Sequence, residues 1–259
     1  MNNKIAIVTG ASSGIGEATA ELLAQAGYNV YGTSRKGAST SRRGFEMLAL
    51  DVTSDESVAA LVAEVMRRHG RIDLLVNNAG VGVAPAAAQE STIEQAQAIF
   101  DTNFFGLVRM TRAVVPHMRR QREGRILNIS SVLGFVALPY AALYCATKHA
   151  VEGYSESLDQ ELRTQGVRVS LIEPAYVKTP FDANQLQADA QLPEYRALRA
   201  ALAGVVKEAM EKADGPDVVA ATVLKAARDA RPKVRYTSCL LYTSPSPRDL
   251  STSRMPSSA

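Results

Sequence analysis

The feature that most constrains this 259-residue chain is a regular alternation of short apolar runs with longer helical patterns. Runs rich in β-branched residues predict strands at residues 4–9, 29–33, 45–50, 72–76, 125–129 and 167–172. Apolar residues at three- and four-residue spacing predict helices at residues 16–26, 55–69, 101–120 and 143–165. Such alternation is typical of βαβ units, whose right-handed crossovers build a parallel sheet covered by helices on both faces. We therefore expect one α/β domain over residues 1–238, with a doubly wound parallel sheet of about seven strands.

Three segments depart from this alternation. Residues 233–237 predict only the first part of a seventh strand, so we expect that strand to be truncated. Residues 239–259 turn to Ser, Pro, Arg and Thr and resemble the in-frame translation of a sequencing-library adapter, with a natural disordered tail as the alternative. Residues 180–213 fit neither period and predict a partly helical insertion. Because ligands bind beyond the carboxyl ends of the strands in open α/β sheets, we expect this insertion to act as a lid over the substrate.

Composition narrows the class of function. A net charge of +3 from 29 basic and 26 acidic residues favours a small-molecule substrate over nucleic acid or a membrane surface. No apolar run approaches the roughly 20 residues of a membrane helix, and no leader pattern is visible, so we expect a cytoplasmic protein. Two cysteines and three scattered histidines give no support to a disulfide framework or a metal site.

A glycine-rich segment follows the first predicted strand and leads into the first helix. Glycines there permit a tight turn and let the backbone approach a phosphate at the helix N-terminus. The residues expected to bind the pyrophosphate of a dinucleotide are Gly10, Ser12, Ser13, Gly14, Ile15 and Gly16. Their Gly-x3-Gly-x-Gly spacing resembles the short-chain dehydrogenase/reductase family.

The end of the second strand separates NAD from NADP. Ser34 stands where the NAD-binding members of that family place an aspartate, and Arg35 follows it. A guanidinium can hold the 2′-phosphate of NADP bidentately, and a serine can add a hydrogen bond. We therefore expect NADPH as the preferred cofactor and NAD as the less favoured one. The alternative is that Arg35 and Lys36 are solvated loop charges.

A Tyr and a Lys four residues apart form the candidate chemical centre. On a helix, Tyr144 and Lys148 share one face, with about 5–6 Å between their Cβ atoms. A nearby ammonium lowers the pKa of a phenol from its usual value near 10 and allows proton exchange at neutral pH. Tyr144 is therefore the candidate acid/base.

Two further residues complete this centre. Ser131 lies thirteen residues before Tyr144 at the end of the fifth strand, a spacing that matches the family, and strand alternation sends Ser130 to the other face. A capping or turn role is the alternative for either serine. Asn103 is an amide inside a predicted helix, where such residues are unusual. The resemblance implies that Asn103 binds a water in a proton relay to Lys148.

The resemblance covers residues 4 to about 237. It implies a Rossmann fold, a nicotinamide cofactor and a mechanism in which Tyr144 protonates a carbonyl oxygen, Lys148 lowers the phenol pKa and holds the nicotinamide ribose, and Ser131 orients the oxygen. The cofactor contacts that it implies elsewhere are Asp51, Val52, Asn78, Ala79, Gly80, Pro174, Val177 and Thr179. Asn77 is expected instead to tie neighbouring strands together. Ala175 departs from the family, which usually has glycine after that proline.

The substrate side is expected to be apolar, which suits a hydrophobic ketone or alcohol and is most similar to the hydroxysteroid-dehydrogenase-like branch. Its candidate residues are Phe135, Val136, Leu138, Tyr140, Leu143, Tyr176 and Phe181. Two alternatives remain open: a reductase of 3-ketoacyl groups on a carrier, favoured by a basic patch near the pocket, and a dinucleotide-sensing module without catalysis. A homodimer or homotetramer is expected if the C-terminus is complete.

Overall fold

The computed structural model describes residues 4–37, 44–181 and 185–238, which form one sheet with helices on both faces. The seven strands are β1 (Ile5–Val8), β2 (Asn29–Ser34), β3 (Glu46–Ala49), β4 (Leu74–Asn77), β5 (Gly124–Ile129), β6 (Val167–Glu173) and β7 (Arg235–Thr237). They are all parallel and lie in the order β3-β2-β1-β4-β5-β6-β7. The predicted doubly wound α/β fold is confirmed. The predicted tail, residues 239–259, lies outside the described residues.

The helices follow the expected alternation with two additions. They are α1 (Gly14–Gln25), α2 (Asp55–His69), α3 (Ile93–Phe100), α4 (Gly106–Gln121), α5 (Ala142–Leu162), α6 (Arg196–Glu211) and α7 (Pro216–Arg228). The sequence patterns missed α3 and α7. The helix predicted at residues 101–120 instead begins with a π-helical turn over Asp101–Phe105 and continues as α4.

The core lies on both faces of the sheet because neighbouring strand residues point in opposite directions. In β1, Ala6 and Val8 pack with α1 and α7 on one face. Ile5 and Ile7 pack with α2, α4 and the end of α5 on the other. Burial of both faces explains why the central strands read as continuous apolar runs.

Within the described residues, no helix combines the length and apolar character needed to cross a bilayer. In the same part of the chain, no group of three or more His, Cys, Asp or Glu side chains could hold a metal ion.

The insertion after β6 is attached to the loop that follows β4. Leu186 exchanges backbone hydrogen bonds with Gly82 and Ala84, at 2.8 and 2.9 Å. The buried Glu90 accepts from the Leu192 backbone N–H at 2.9 Å and pairs with Arg199 of α6. These contacts place residues 185–211 beside the carboxyl ends of the strands.

Candidate active site

A cleft of about 1490 Å³ opens at the carboxyl ends of the strands. The predicted site residues that line it are Gly10, Ser12, Ser13, Gly14, Ile15, Ser34, Arg35, Asp51, Val52, Asn78, Ala79, Gly80, Ser131, Tyr144, Lys148, Pro174, Val177 and Thr179. Gly16 and Asn103 are the predicted residues that do not reach its wall. The topology therefore brings distant segments together at one cleft: Gly10 and Thr179, which both line it, are 169 residues apart in the sequence.

The glycine loop forms a cradle because side chains are excluded from it. Gly10 and Gly14 have φ of 66° and 59°, in the left-handed region that favours glycine. A Cβ on Gly16 would lie 2.2 Å from the Gly10 carbonyl oxygen. Gly16 thus lets the start of α1 pack directly against the loop, so its role is close packing and not lining of the cleft. The N-terminus of α1 opens beside the loop, an arrangement that fits the pyrophosphate of a dinucleotide.

A hydrogen-bond network fixes this loop to the end of β4. The Thr9 hydroxyl accepts from the backbone N–H groups of Asn78 and Ala79, at 2.9 and 3.0 Å. The Asn78 side-chain amide donates to the carbonyl oxygens of Thr9 and Gly10, at 2.9 and 3.1 Å. Asn77 points elsewhere: its Nδ2 donates to Asn128 Oδ1 of β5 at 2.9 Å. Asn77 therefore ties two strands together, whereas Asn78 shapes the cleft.

The end of the cleft beside β2 and β3 combines positive and negative side chains. Ser34 and Arg35 line it at the end of β2, and Asp51 lines it after β3. Hydrogen bonds from the backbone and hydroxyl of Thr53 hold the pKa of Asp51 below its usual value, and the charge of Arg35 acts in the same direction. The site therefore offers an anionic acceptor and a guanidinium side by side.

Tyr144 and Lys148 lie one turn apart on α5. The Lys148 side chain reaches into the protein, where Nζ donates to the Ile129 carbonyl oxygen at 2.9 Å and lies 5.5 Å from the centre of the Tyr144 ring. Burial lowers the pKa of Lys148 to about 8, and the charge of Glu152 opposes this shift. A buried ammonium next to a phenol is the arrangement that stabilises a phenolate.

The two serines after β5 have different environments. Ser131 caps a short 3₁₀ turn over Val132–Gly134, with Oγ accepting from the Leu133 N–H at 3.2 Å. Ser130 Oγ is buried against Gly134, so closely that a Cβ added to Gly134 would lie 2.7 Å from this oxygen. Both residues border the cleft that Tyr144 also lines, and Ser131 additionally has the capping role considered for it.

Asn103 sits in the middle of the π-helical turn and is 3 % exposed. Its Oδ1 accepts from the Val81 N–H at 2.8 Å, and its Nδ2 donates to the Val81 carbonyl at 2.8 Å and to Thr147 Oγ at 3.3 Å. Thr147 in turn donates to the Tyr144 carbonyl oxygen at 2.8 Å. Asn103 therefore links the loop after β4 to the turn of α5 that carries Tyr144 and Lys148.

A further set of cleft residues, which we call the apolar arm, comes from four segments of the chain. Its described residues are Val83, Pro85, Val136, Leu138, Tyr140, Tyr176, Phe181, Gln185, Val206 and Met210, and none of them is charged. Five were expected from the sequence. Phe135 and Leu143 were also expected but do not line the cleft, because the 3₁₀ turn before Phe135 and the left-handed Tyr140, with φ of 64°, redirect the chain.

Sequence reasoning missed the arm residues from the loop after β4, and it did not name Val206 or Met210 individually although it expected the insertion that contains α6 to cover the substrate. No local pattern marks Val83 or Met210 as cleft residues. They reach the cleft through contacts between distant parts of the chain. Gly82, for example, packs so closely against the Phe181 ring that a Cβ on this glycine would lie 2.9 Å from it. The Phe181 ring itself lies 6.0 Å from that of Tyr144.

Comparison with known proteins places this arrangement in a family. A family model described as "short chain dehydrogenase" matches residues 4–190. The chain is 43 % identical over 185 residues to a 3-ketodihydrosphingosine reductase of Bacteroides thetaiotaomicron, which covers 71 % of this chain and 68 % of that protein. It is 34 % identical over 212 residues to the 3-oxoacyl-[acyl-carrier-protein] reductase FabG of Vibrio cholerae, which covers 76 % and 84 %.

Solved structures agree. A short-chain dehydrogenase from Streptomyces avermitilis superposes with a TM-score of 0.81 at 33 % identity, covering 91 % of this chain and 88 % of that one. A metagenomic short-chain oxidoreductase in complex with NADP gives a TM-score of 0.71 at 28 % identity, covering 90 % and 96 %. A Burkholderia phymatum relative in complex with NAD gives 0.75 at 29 %, covering 90 % and 88 %. The chain therefore belongs to the short-chain dehydrogenase/reductase family of NAD(P)-dependent oxidoreductases.

Proposed function

We propose that this enzyme interconverts a hydrophobic ketone and a secondary alcohol, prefers NADPH, and uses Tyr144 as its acid/base. The observation that carries the proposal is the position of Lys148, buried with Nζ 5.5 Å from the Tyr144 ring in a cleft that also holds the glycine cradle. A lysine at that depth has little structural purpose unless a neighbouring group uses its charge.

The residues divide the chemistry among them. The nicotinamide, when bound, supplies or accepts the hydride. In reduction, the Tyr144 hydroxyl donates a proton to the carbonyl oxygen, and the Lys148 ammonium stabilises the phenolate that remains. Ser131 Oγ accepts from the Leu133 N–H, which leaves its own proton available to donate to the substrate oxygen. General acid catalysis of this kind contributes roughly 10²–10⁴-fold in rate.

Asn103 and Thr147 support the proton path. Their hydrogen bonds hold the loop after β4 against the turn of α5 that bears Tyr144. We propose that Asn103 belongs to a relay that returns protons from solvent to Lys148. Its side-chain amide would hold Val81 and Thr147 in place beside that relay.

The cofactor preference rests on Arg35. It lines the cleft beside Ser34, and neither Ser34 nor the adjoining Lys36 is a carboxylate that could select the ribose 2′-OH of NAD. Arg35→Ser is expected to raise the KM for NADPH about 10- to 100-fold, as the loss of a charge-assisted phosphate contact does, with little change for NADH. Arg119→Ser, which changes an exposed arginine at the end of α4 away from the cleft, is the matched control. An equal loss for both cofactors in Arg35→Ser would contradict this assignment.

The uncharged apolar arm favours a neutral, hydrophobic substrate, and the 185–213 segment covers it. A basic patch of Arg119, Arg120 and Arg122 was the feature that would favour a carrier-linked 3-ketoacyl substrate. These residues precede β5 and therefore lie at the end of the sheet opposite the cleft. The FabG relative keeps the carrier-linked substrate as the second candidate.

The test is NADPH oxidation with a panel of long-chain ketones and a carrier-linked 3-ketoacyl thioester. We expect turnover of the free hydrophobic ketones and a loss of at least about 100-fold in kcat for Tyr144→Phe, with NADPH binding retained. Unchanged turnover by Tyr144→Phe would refute the proposed acid/base. Turnover of the carrier-linked substrate alone would replace the substrate class.

A further inference from the structure

A buried group of charged side chains lies one turn of α5 beyond Lys148 and has no part in the chemistry proposed above. Glu152 follows Lys148 by four residues, and its side chain is 6 % exposed. Arg235, the first residue of β7, donates from Nη2 to Glu152 Oε2 at 2.9 Å, and its Nε lies 2.9 Å from Glu173 Oε1. Glu156 pairs with the same guanidinium. We call Glu152, Glu156, Glu173 and Arg235 the Arg235 cluster.

The Arg235 cluster carries more negative than positive charge. Three carboxyl groups face one guanidinium, and two of them, Glu152 and Glu173, are buried. Burial, together with the charge of Glu152, raises the pKa of Glu173 to about 7. Glu173 therefore takes up a proton near neutral pH, while Glu152 keeps the paired guanidinium. Glu152 Oε1 has no hydrogen-bond partner among the described residues, and the buried Lys148 lies one helical turn away on the same face of α5.

Glu152 also contacts the turn that carries Ser131. A Cβ on Gly134 would lie 2.8 Å from Glu152 Cγ and 3.0 Å from its Oε1. Gly134 closes the turn that Ser131 caps, so this glycine allows the turn to rest directly on the Glu152 side chain. Glu152 is thereby wedged between the Ser131 turn and β7, with Lys148 on the preceding turn of its own helix.

We infer that Glu152 is a positioning residue for Tyr144 and Lys148: its carboxylate, fixed by Arg235, supplies the negative charge that keeps Lys148 an ammonium inside the protein. This inference rests on the proposed roles of Tyr144 and Lys148. Burial alone pulls the pKa of Lys148 down, and Glu152 is the charge that opposes it. Without Glu152, Lys148 loses its proton at a lower pH, and Tyr144 loses the ammonium that stabilises its phenolate.

The experiment measures Tyr144 directly, without substrate. The near-ultraviolet absorbance of tyrosinate is titrated in the full chain, and the titration of the matching Tyr144→Phe protein is subtracted. In Glu152→Gln we expect the Tyr144 titration to move to higher pH by about one unit, because one lost charge interaction at a buried site is of that size. In Glu156→Gln, which removes the half-exposed carboxylate from the same guanidinium, we expect no movement.

Two further measurements complete the test. The ascending limb of kcat/KM against pH for alcohol oxidation should move with the Tyr144 titration in Glu152→Gln, and Glu152→Asp should restore much of the original profile. If Glu152→Gln does not fold, Glu152→Met removes the carboxylate with a side chain of similar length, while Arg235 keeps Glu156 and Glu173 as partners. This variant should show an upward shift in the same titration.

An unmoved Tyr144 titration in folded Glu152→Gln, or in Glu152→Met, would overturn the inference. Failure of the proposed function gives a different result. In that case no substrate in the panel is turned over, whatever the Tyr144 titration shows.

Discussion

Replacement of Gly16 by alanine tests whether the cradle depends on close backbone packing. A Cβ at this position would lie 2.2 Å from the Gly10 carbonyl oxygen and 2.4 Å from Asn78 Nδ2. Neither of these two groups can move away to make room for the new methyl group. The first is backbone, and the second is held by hydrogen bonds to the Thr9 and Gly10 carbonyls. The start of α1 must therefore move away from the loop.

Two opposing terms set the size of the effect. Alanine is favoured over glycine in a helix by about 1 kcal/mol. Overpacking against a rigid neighbour costs about 1–3 kcal/mol, and a backbone obstacle belongs at the upper end of that range. The free energy of unfolding should thus fall by about 1–2 kcal/mol, which lowers Tm by about 2–8 °C in a chain of this size.

Gly153→Ala is the matched control. Gly153 is exposed on α5, and a Cβ there meets nothing within 4 Å, so the same substitution should raise Tm slightly. Thermal unfolding and NADPH titration by fluorescence measure both variants. Because the cradle must open to admit the new methyl group, Gly16→Ala should also weaken NADPH binding about tenfold or more. A Gly16→Ala protein as stable as Gly153→Ala, with unchanged NADPH affinity, would refute the packing argument.

Two other substitutions have defined outcomes. Asp159→Asn should lower the free energy of unfolding by roughly 3 kcal/mol, because the fully buried carboxylate binds Arg168 at 2.8 Å and the Val169 N–H at 3.0 Å. These hydrogen bonds outweigh burial and lower the pKa of Asp159. The stabilisation that its carboxylate contributes is therefore complete above about pH 4 and is lost as the pH falls through the pKa of the folded state. Over that acid range, the Tm difference between wild type and variant should shrink. Glu90→Gln should raise the KM for the ketone about fivefold or more with little change in kcat, since Glu90 anchors α6 through Arg199 and Leu192. Asp189→Asn, an exposed link between the same segments, is its control in steady-state kinetics, and an equal rise in KM for both variants would contradict a specific role for Glu90.

Local patterns carried the sheet and much of the site. The bounds of β1, β2, β5 and β6 fall within two residues of those predicted, because apolar runs between glycines leave little freedom. The glycine loop and the Tyr144/Lys148 spacing were also legible, since each depends on residues close together in the sequence. β7 at Arg235–Thr237 lies within the strand that residues 233–237 predict.

Long-range contacts carried the rest and left no local signal. The pairing of Glu90 with Arg199 joins residues 109 apart, and Arg235 meets Glu152 across 83 residues. The helix α3 is eight residues long, which is too short for a clear apolar period. Phe135 and Leu143 were misassigned because their directions are set by a 3₁₀ turn and a left-handed residue that the amino-acid types do not reveal.

The π-helical turn at Asp101–Phe105 holds one residue more than an α-helix would need over the same rise. Deleting a single residue from it would restore regular winding and, because the turn itself takes up the extra residue, would leave α3 and α4 in nearly the same relative orientation while the side chains within the turn change direction. Asn103 would then no longer face Val81 and Thr147. A one-residue deletion here should therefore misdirect one side chain and leave the core intact. The protein would keep its sheet, while the Asn103 amide would point away from the turn of α5 that carries Tyr144.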